Sequence, residues 1–367
     1  MTDQKSNSPQ PNQFYKEDFL FDEIKILDEK VRSCEDMPED LRERLDKMLQ
    51  RLNRMAKIGG NYASEFDNIS KYIDVVTSIP WTFKTTDILD LQKTKEALDR
   101  NHYGMNDVKE RVLEYMSTLI LLQRQGENAI STSPVLLFVG LQGIGKTTLA
   151  ISIAEALGRK FVRVAMGAIG SVLEIRGKSK ALSDAEPGQI IKGLIQAKSK
   201  NPVILLDEVE KASGNQALLS DVMAVLLEIL DPAQNIAFKD HYLDYPVNLS
   251  DCLFICTANN TGPISTAVLD RMEVIKMTSY TDNEKIVIAR DYLFPKIIKS
   301  TGLTAEQLQI DPNLWPSVVR PFGFDSGIRS LGRTLEAIAR KTAKEIVEGK
   351  TDRVYITAEN LKFYLPK

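Results

Sequence analysis

The sequence predicts an α/β protein: a parallel β-sheet carrying a phosphate-binding loop, with a helical segment before it and a helical domain after it. Three observations predict this. Short apolar runs recur at Val135–Gly140, Phe161–Ala165, Val203–Leu206, Leu253–Cys256 and Val274–Lys276, with helix-length segments between them. Strands that alternate with helices build parallel sheets. A GxxxxGKT motif directly follows the first run, and outside residues 126–279 the apolar residues fall mainly at helical spacing.

Residues 1–14 are polar and read as a disordered tail with no signal-peptide apolar region. A helical pattern starts at Phe14 and breaks at Met37–Pro38. A second runs from Pro38 to Gly59–Gly60 with Leu41, Leu45, Met48, Leu52 and Met55 on one stripe. That stripe fits a coiled coil over residues 38–58, but two heptads are few for one, and a hairpin folded onto its own domain with a solvated basic face is the favoured reading. A third helix uses Tyr62, Phe66, Ile69, Tyr72, Ile73 and Val76, and residues 104–124 read as another. We group residues 15–125 as a helical connector, 126–279 as the α/β domain and 280–367 as a helical lid. Within the lid, helices are expected over 282–299, 312–319 and 327–349. The last carries an apolar stripe (Ile328, Leu331, Leu335, Ile338, Ile346) interrupted by Thr342. A strand at Val354–Ile356 and a helix at Ala358–Tyr364 follow.

Composition removes several function classes. Forty-seven basic residues stand against 50 acidic ones in 367, a net charge of −3, which argues against a nucleic-acid-coating role. No apolar run approaches the ~20 residues of a membrane span, so the expected location is the cytoplasm. Three cysteines and two histidines give neither a disulfide framework nor a zinc site. Cys252 and Cys256 fall on one strand face and read as core.

The chemistry concentrates in Gly140-Leu-Gln-Gly143-Ile144-Gly145-Lys146-Thr147-Thr148. Glycines let successive backbone N–H groups turn toward phosphates, Lys146 brings a point charge to the β- and γ-phosphates, and the Thr147 hydroxyl binds Mg²⁺. The helix that follows aims its N-terminal dipole at the anion. Downstream, the apolar run Val203–Leu206 ends in Asp207-Glu208. Asp207 is placed to hold the metal and Glu208 to accept a proton from the attacking water. Asn259 ends the next strand, at the sheet edge where such folds bind ligands, and could orient the lytic water.

Further motifs extend the pattern: Ser78-Ile-Pro-Trp81, Leu98-Asp-Arg-Asn-His102-Tyr-Gly104, Glu174-Ile-Arg-Gly177, Leu230-Asp-Pro-Ala-Gln-Asn235, Asp240-His-Tyr-Leu243, Leu269-Asp-Arg-Met-Glu-Val-Ile275 and Gly327-Ile-Arg329. In this order they resemble the ATPase module of the Lon family, within the AAA+ class, over roughly residues 24–366. The resemblance implies an AAA+ P-loop domain with a helical connector and a sensor-2 lid, and ATP with Mg²⁺ as cofactors. It implies that Tyr103 covers the adenine and that Asn259 is the sensor-1 residue. It also makes Arg271 an arginine finger acting on a neighbouring subunit and Arg329 the sensor-2 residue. The nucleotide-binding set is then Gly140, Gly143, Ile144, Gly145, Lys146, Thr147, Thr148 and Tyr103.

The pattern departs from the family in places. The resemblance stops at Lys367, where the family's peptidase domain begins, and the nearby Ser317, Ser326 and Ser330 have no Ser–Lys dyad context, so no intrinsic peptidase activity is expected. The family's large N-terminal substrate-binding domain has no counterpart. Between Glu174-Ile-Arg-Gly177 and Pro187-Gly188, the pore-loop positions that hold an aromatic–aliphatic pair carry Leu182 and Ser183. Glu210 stands where the family has Asp. The expected function is a Lon-type AAA+ ATPase that works as a homo-oligomeric, hexameric ring to remodel or regulate a protein partner. Two alternatives stand beside it: a nucleotide-gated scaffold with weak translocation, and the ATPase part of a split or truncated Lon working with a separate peptidase. Neither nucleic acid nor a membrane is an expected partner.

Overall fold

The computed structural model describes residues 14–58, 62–126, 130, 133–211, 216–320 and 327–366. The tail expected over 1–14 lies outside them apart from Phe14, as do Gly59–Gly60 and Ser326.

Three helices open the chain: α1 (Phe14–Ser33), α2 (Glu39–Ile58) and α3 (Tyr62–Ser78). Leu41, Leu45, Leu49 and Leu52 of α2 are buried with Ile24, Leu27 and Val31 of α1 and Ile69, Tyr72, Ile73 and Val76 of α3. The apolar stripe of α2 is therefore covered inside the chain, as in the hairpin reading, and not by a coiled-coil partner over 38–58. Leu49 takes the inward place, while Met48 and Met55 stay half-buried, because a 3.6-residue pitch drifts away from a strict heptad.

Two more helices follow, α4 (Leu91–Asn101) and α5 (Asn106–Arg124). Nothing in the apolar spacing predicts α4, which buries only Thr94, Ala97 and Leu98. Its start is fixed by Asp90, whose Oδ1 accepts from the backbone N–H of Gln92 at 2.9 Å and of Lys93 at 3.2 Å.

The core is a five-stranded sheet of β1 (Val135–Val139), β2 (Phe161–Ala165), β3 (Val203–Asp207), β6 (Leu253–Ala258) and β7 (Met272–Lys276). Its order is β2-β3-β6-β1-β7, and every pairing is parallel. These are the five apolar runs of the sequence. β3 and β6 are buried along their whole length, which is why they read as unbroken apolar runs and not as alternation. Cys252 and Cys256 are both buried, and burial pushes both thiols upward, that of Cys252 to about 12.

A hairpin of β4 (Phe238–Asp240) and β5 (Tyr245–Val247) docks the connector on this core. The buried Tyr72 hydroxyl donates to Leu243 O at 2.7 Å, Tyr245 Oη donates to Asp40 at 2.7 Å, and Arg44 pairs with Asp244 at 2.9 Å. Trp81 meets the Tyr245 ring edge-on at 5.8 Å.

Beyond residue 280, β8 (Leu308–Ile310) pairs with the expected strand, β9 (Val354–Ile356), in parallel. The helix expected over 282–299 is divided by a π-helical stretch at Ile288–Leu293 ahead of Pro295, where the missing N–H breaks the regular ladder. The long lid helix, Ile328–Val347, buries Leu331, Leu335 and Ile338. Thr342 is also fully buried, and its hydroxyl has no hydrogen-bond partner among the described residues. Among the described residues no helix is long and apolar enough to cross a membrane.

Candidate nucleotide site

Parallel strands bring their carboxyl ends to one edge, so Gly140 after β1, Glu208 after β3 and Asn259 after β6 become neighbours. The loop between β1 and the helix Lys146–Leu157 depends on its glycines. Gly143 and Gly145 have φ of +79° and +102°, where any other residue is strained. A Cβ on Gly140 would lie 2.4 Å from Ile144 Cδ1 and 2.5 Å from Met277 O. The Ile144 side chain is fully buried in the core and roots the loop. Thr148 Oγ1 donates to Gly145 O at 2.8 Å and braces the turn.

Lys146 is buried at the floor of the loop. Its ammonium donates to Gly140 O, to Leu141 O at 3.0 Å and to Asn259 Oδ1 at 3.0 Å. Burial lowers its pKa, and Glu210, Asp207 and Glu208 oppose that shift.

Asp207 is buried at the end of β3. One oxygen accepts from Arg163, with Nε at 2.7 Å, and the other from the Thr257 hydroxyl. Thr257 Oγ1 in turn accepts the Glu208 N–H at 2.9 Å. Glu208 has φ of +61°, a left-handed conformation uncommon for a residue with a side chain. Its carboxylate faces the loop, accepting from Gln142 Nε2 at 3.2 Å and Lys211 Nζ at 2.9 Å.

A cleft of about 900 Å³ joins these groups, with Gly143, Gly145, Lys146, Thr147, Asp207 and Glu208 along its floor. Ile144, Thr148, Tyr103 and Arg329 also border it. Arg329 sits in the first turn of the lid helix, where Ile328 N–H donates to Gly143 O at 3.2 Å. Lid and loop are thus joined directly. Tyr103 is half-exposed and lies 6.1 Å from Tyr292, ring to ring, at an angle of 52°.

Three of the predicted residues do not border the cleft. Gly140 and Asn259 lie behind it, in contact with Lys146. Arg271 lies away from it, beside β7, with its guanidinium 2.9 Å from Asp231 and 47% exposed.

Sequence reasoning missed Arg163, Thr257 and His102. Arg163 is a charge in the middle of a strand, and Thr257 is a hydroxyl on a strand adjacent to Asp207. Both signals are legible only once the strand order is known. His102 is buried, 3.1 Å from Ser152 Oγ, and burial lowers its pKa to about 4.

Two of the remaining motifs, Glu174–Gly177 and Asp240–Leu243, anchor a loop at 178–186. Asp240 is fully buried and accepts the N–H groups of Gly188 at 2.8 Å, Tyr242 at 2.8 Å and Leu243 at 3.0 Å. A Cβ on Gly188 would fall 1.9 Å from Ile175 O. Above this base, Lys178 N–H donates to Glu186 O at 2.8 Å, and Lys178 Nζ pairs with Asp184 at 2.8 Å. Leu182 is 49% exposed at the tip.

The donor set fits a magnesium-bound triphosphate. Gly143 and Gly145 hold the loop in left-handed turns that favour glycine, a buried ammonium stands at its floor, and a hydroxyl and a carboxylate border the same cleft.

Residues 136–280 match the model of the ATPase family associated with various cellular activities (AAA), and residues 299–354 that of the Lon protease AAA+ ATPase lid domain. The chain is 42% identical over 330 residues to a Lon protease of Halothermothrix orenii and 43% identical over 336 residues to Lon protease 2 of Thermus thermophilus. Each match covers 90% of this chain and 41% of the relative. Lon protease 1 of Bacillus subtilis is 41% identical over 345 residues, covering 94% of this chain and 43% of the relative. The chain therefore spans about two fifths of the length of these relatives. With a parallel-sheet AAA domain, a Lon lid and this level of identity across nearly its whole length, the chain belongs to the Lon family of AAA+ ATPases.

Proposed function

We propose that this chain binds and hydrolyses Mg-ATP and works as a homo-oligomeric, hexameric ring that remodels or regulates a protein partner. The observation that carries the reading is the convergence of Lys146, Thr147, Asp207 and Glu208 on one cleft. Lys146 and the glycine N–H groups bind the phosphates. Thr147 and Asp207 hold the metal, which when bound neutralises charge on the triphosphate. Glu208 takes the proton of the attacking water, Asn259 orients that water, and Arg329 reaches the γ-phosphate from the lid. Tyr103 and Tyr292 flank the base. Arg271, turned away from its own cleft, serves a neighbouring subunit's nucleotide. In this reading residues 15–125 connect, 126–279 bind nucleotide and 280–367 form the lid.

The test compares Lys146→Ala with Glu208→Gln. The first should lose nucleotide binding. The second should bind ATP and lose at least about a hundredfold in turnover, because the base is gone while the phosphate cradle remains. Equal phosphate release by wild type and Glu208→Gln would sink the assignment.

A second reading has its own support. The loop at 178–186 is tied by Lys178–Asp184, and Lys180 Nζ lies 3.9 Å above the Tyr72 ring of the connector. A loop held to the connector, without an aromatic tip, suits a nucleotide-gated switch that engages a partner better than it suits a threading motor.

A further inference from the structure

Asn259 is held between two groups of opposite hydrogen-bonding character. Its Oδ1 accepts from Lys146 Nζ at 3.0 Å, and its Nδ2 donates to Glu210 Oε1 at 2.7 Å. An ammonium only donates and a carboxylate only accepts, so this pair allows one orientation of the amide. Both neighbours are buried, Lys146 at 7% and Glu210 at 8% exposure. Glu210 follows Glu208 by two residues, in the one-turn 3₁₀ helix Val209–Lys211. Its carboxylate thus reaches Asn259 from behind the site, while Glu208 faces the cleft.

We propose that Glu210 is a positioning residue for hydrolysis: it locks the Asn259 amide with Oδ1 toward the phosphate end of the cleft. The inference rests on the ATPase reading above. When Lys146 turns to a phosphate, Oδ1 loses its present donor. The Nδ2–Glu210 bond remains and keeps Oδ1 aimed at the same volume. An oxygen so placed accepts one O–H of the lytic water and leaves the other proton for Glu208. A flipped amide would offer N–H groups instead, and the water would lose its acceptor. The second carboxylate oxygen of Glu210 is buried with no partner among the described residues. Leaving a buried acceptor unmatched is costly, and that cost is tolerated here beside the one bond that fixes the amide.

The experiment uses the full chain with Glu210→Ala, Glu210→Gln and Asn259→Ala, and has two readouts. In the nucleotide-free protein, the side-chain amide signals of ¹⁵N-labelled asparagine are recorded, with Asn259 assigned by its absence in Asn259→Ala. The Asn259 signals should be shifted and protected from exchange in wild type and Glu210→Gln, whose amide oxygen still accepts, and unprotected in Glu210→Ala. In steady state, Glu210→Ala should lose at least about tenfold in kcat with ATP affinity within twofold of wild type. Glu210→Gln should regain most of that loss, and Glu210→Ala with Asn259→Ala should be no worse than Asn259→Ala alone. Unchanged amide signals in Glu210→Ala, lost protection in a folded Glu210→Gln, or additive losses in the double variant would overturn the proposal. A wild-type chain without ATPase activity would instead overturn the functional reading, while the amide signals still decide the orientation.

Discussion

Arg163 and Asp207 form a two-armed ion pair across neighbouring strands: Nε lies 2.7 Å and the terminal nitrogen 2.6 Å from the same carboxylate oxygen. Asp207 is also the carboxylate proposed for the metal. In this structure a guanidinium therefore occupies one face of the group that Mg²⁺ would need.

Removing Arg163 should have two opposite effects. Among the described residues Asp207 then keeps its Thr257 bond alone, so the nucleotide-free Arg163→Met protein should lose about 1–3 kcal/mol of stability, the usual cost of stripping a buried acceptor of its partner. The freed carboxylate should also take Mg²⁺ more readily, so half-maximal ATPase activity should come at lower Mg²⁺ than in wild type. Denaturant unfolding without nucleotide and a magnesium titration of turnover check the two effects. A variant with wild-type stability and an unchanged magnesium requirement would show that the pair is incidental.

Arg271 leads to a prediction about assembly. Among the described residues its ion-pair partner is Asp231 on the same chain, and its guanidinium stays 47% exposed, away from its own cleft. If it completes a neighbour's site, Arg271→Ala should keep ATP affinity and lose turnover by about 10³-fold or more, the scale of a finger supplied in trans. Wild-type specific activity should climb with protein concentration, and sedimentation should show the assembly appearing over the same range. Full activity in a monomer at nanomolar concentration would remove the finger role.

Much of the fold was legible because its signals are local. Strands β1, β3 and β6 are apolar runs buried on both faces, and the GKT loop marks the end of the first. What escaped has no local signal. Strands β4, β5 and β8 are three residues each, too short for a period, and α4 buries too little to show a stripe. The site divides along the same line. Lys146, Asp207 and Glu208 stand in motifs, while Arg163 and Thr257 matter only through the order β2-β3-β6, which sets both beside Asp207. The pitch of α2 explains one displaced position, since Leu49 and not Met48 faces inward; the stripe itself meets α1 and α3 of its own chain, as the hairpin reading expects.

His102 makes stability depend on pH. Burial lowers its pKa from 6.5 to about 4, and Lys109 adds to the shift. The unfolded state therefore binds a proton that the folded state refuses between these values. The contribution is complete above about pH 6.5 and is lost as pH falls toward about 4, reaching about 3 kcal/mol at 1.36 kcal/mol per unit. His102→Gln, which has no proton to take up in this range, should flatten the slope between pH 6.5 and 4. The check is urea unfolding across that range. Parallel curves for the two proteins would contradict a neutral buried imidazole.

The loop at 178–186 bears on whether the proposed ring threads polypeptide. A gripping loop needs a large flat side chain at its tip, and an aromatic ring adds about 0.5–1.5 kcal/mol per ring contact beyond its buried area. Leu182 offers an exposed but smaller surface, and Ser183 and Asp184 beside it are exposed and polar. The tip is also restrained, because Lys178 holds Asp184 and Lys180 lies over Tyr72. Wild type should therefore unfold a tagged fluorescent protein slowly or not at all. A Leu182→Tyr, Ser183→Ile double variant should unfold it several-fold faster, with basal ATP turnover within twofold, since neither residue borders the cleft. Adding Asp184→Ala should release the Lys178 tie and raise the rate further if the tip must move to pull. Equal unfolding by wild type and the double variant would make the tip chemistry irrelevant and favour a threading motor. Unfolding by the variant alone would mean that the native loop engages its partner without pulling it through.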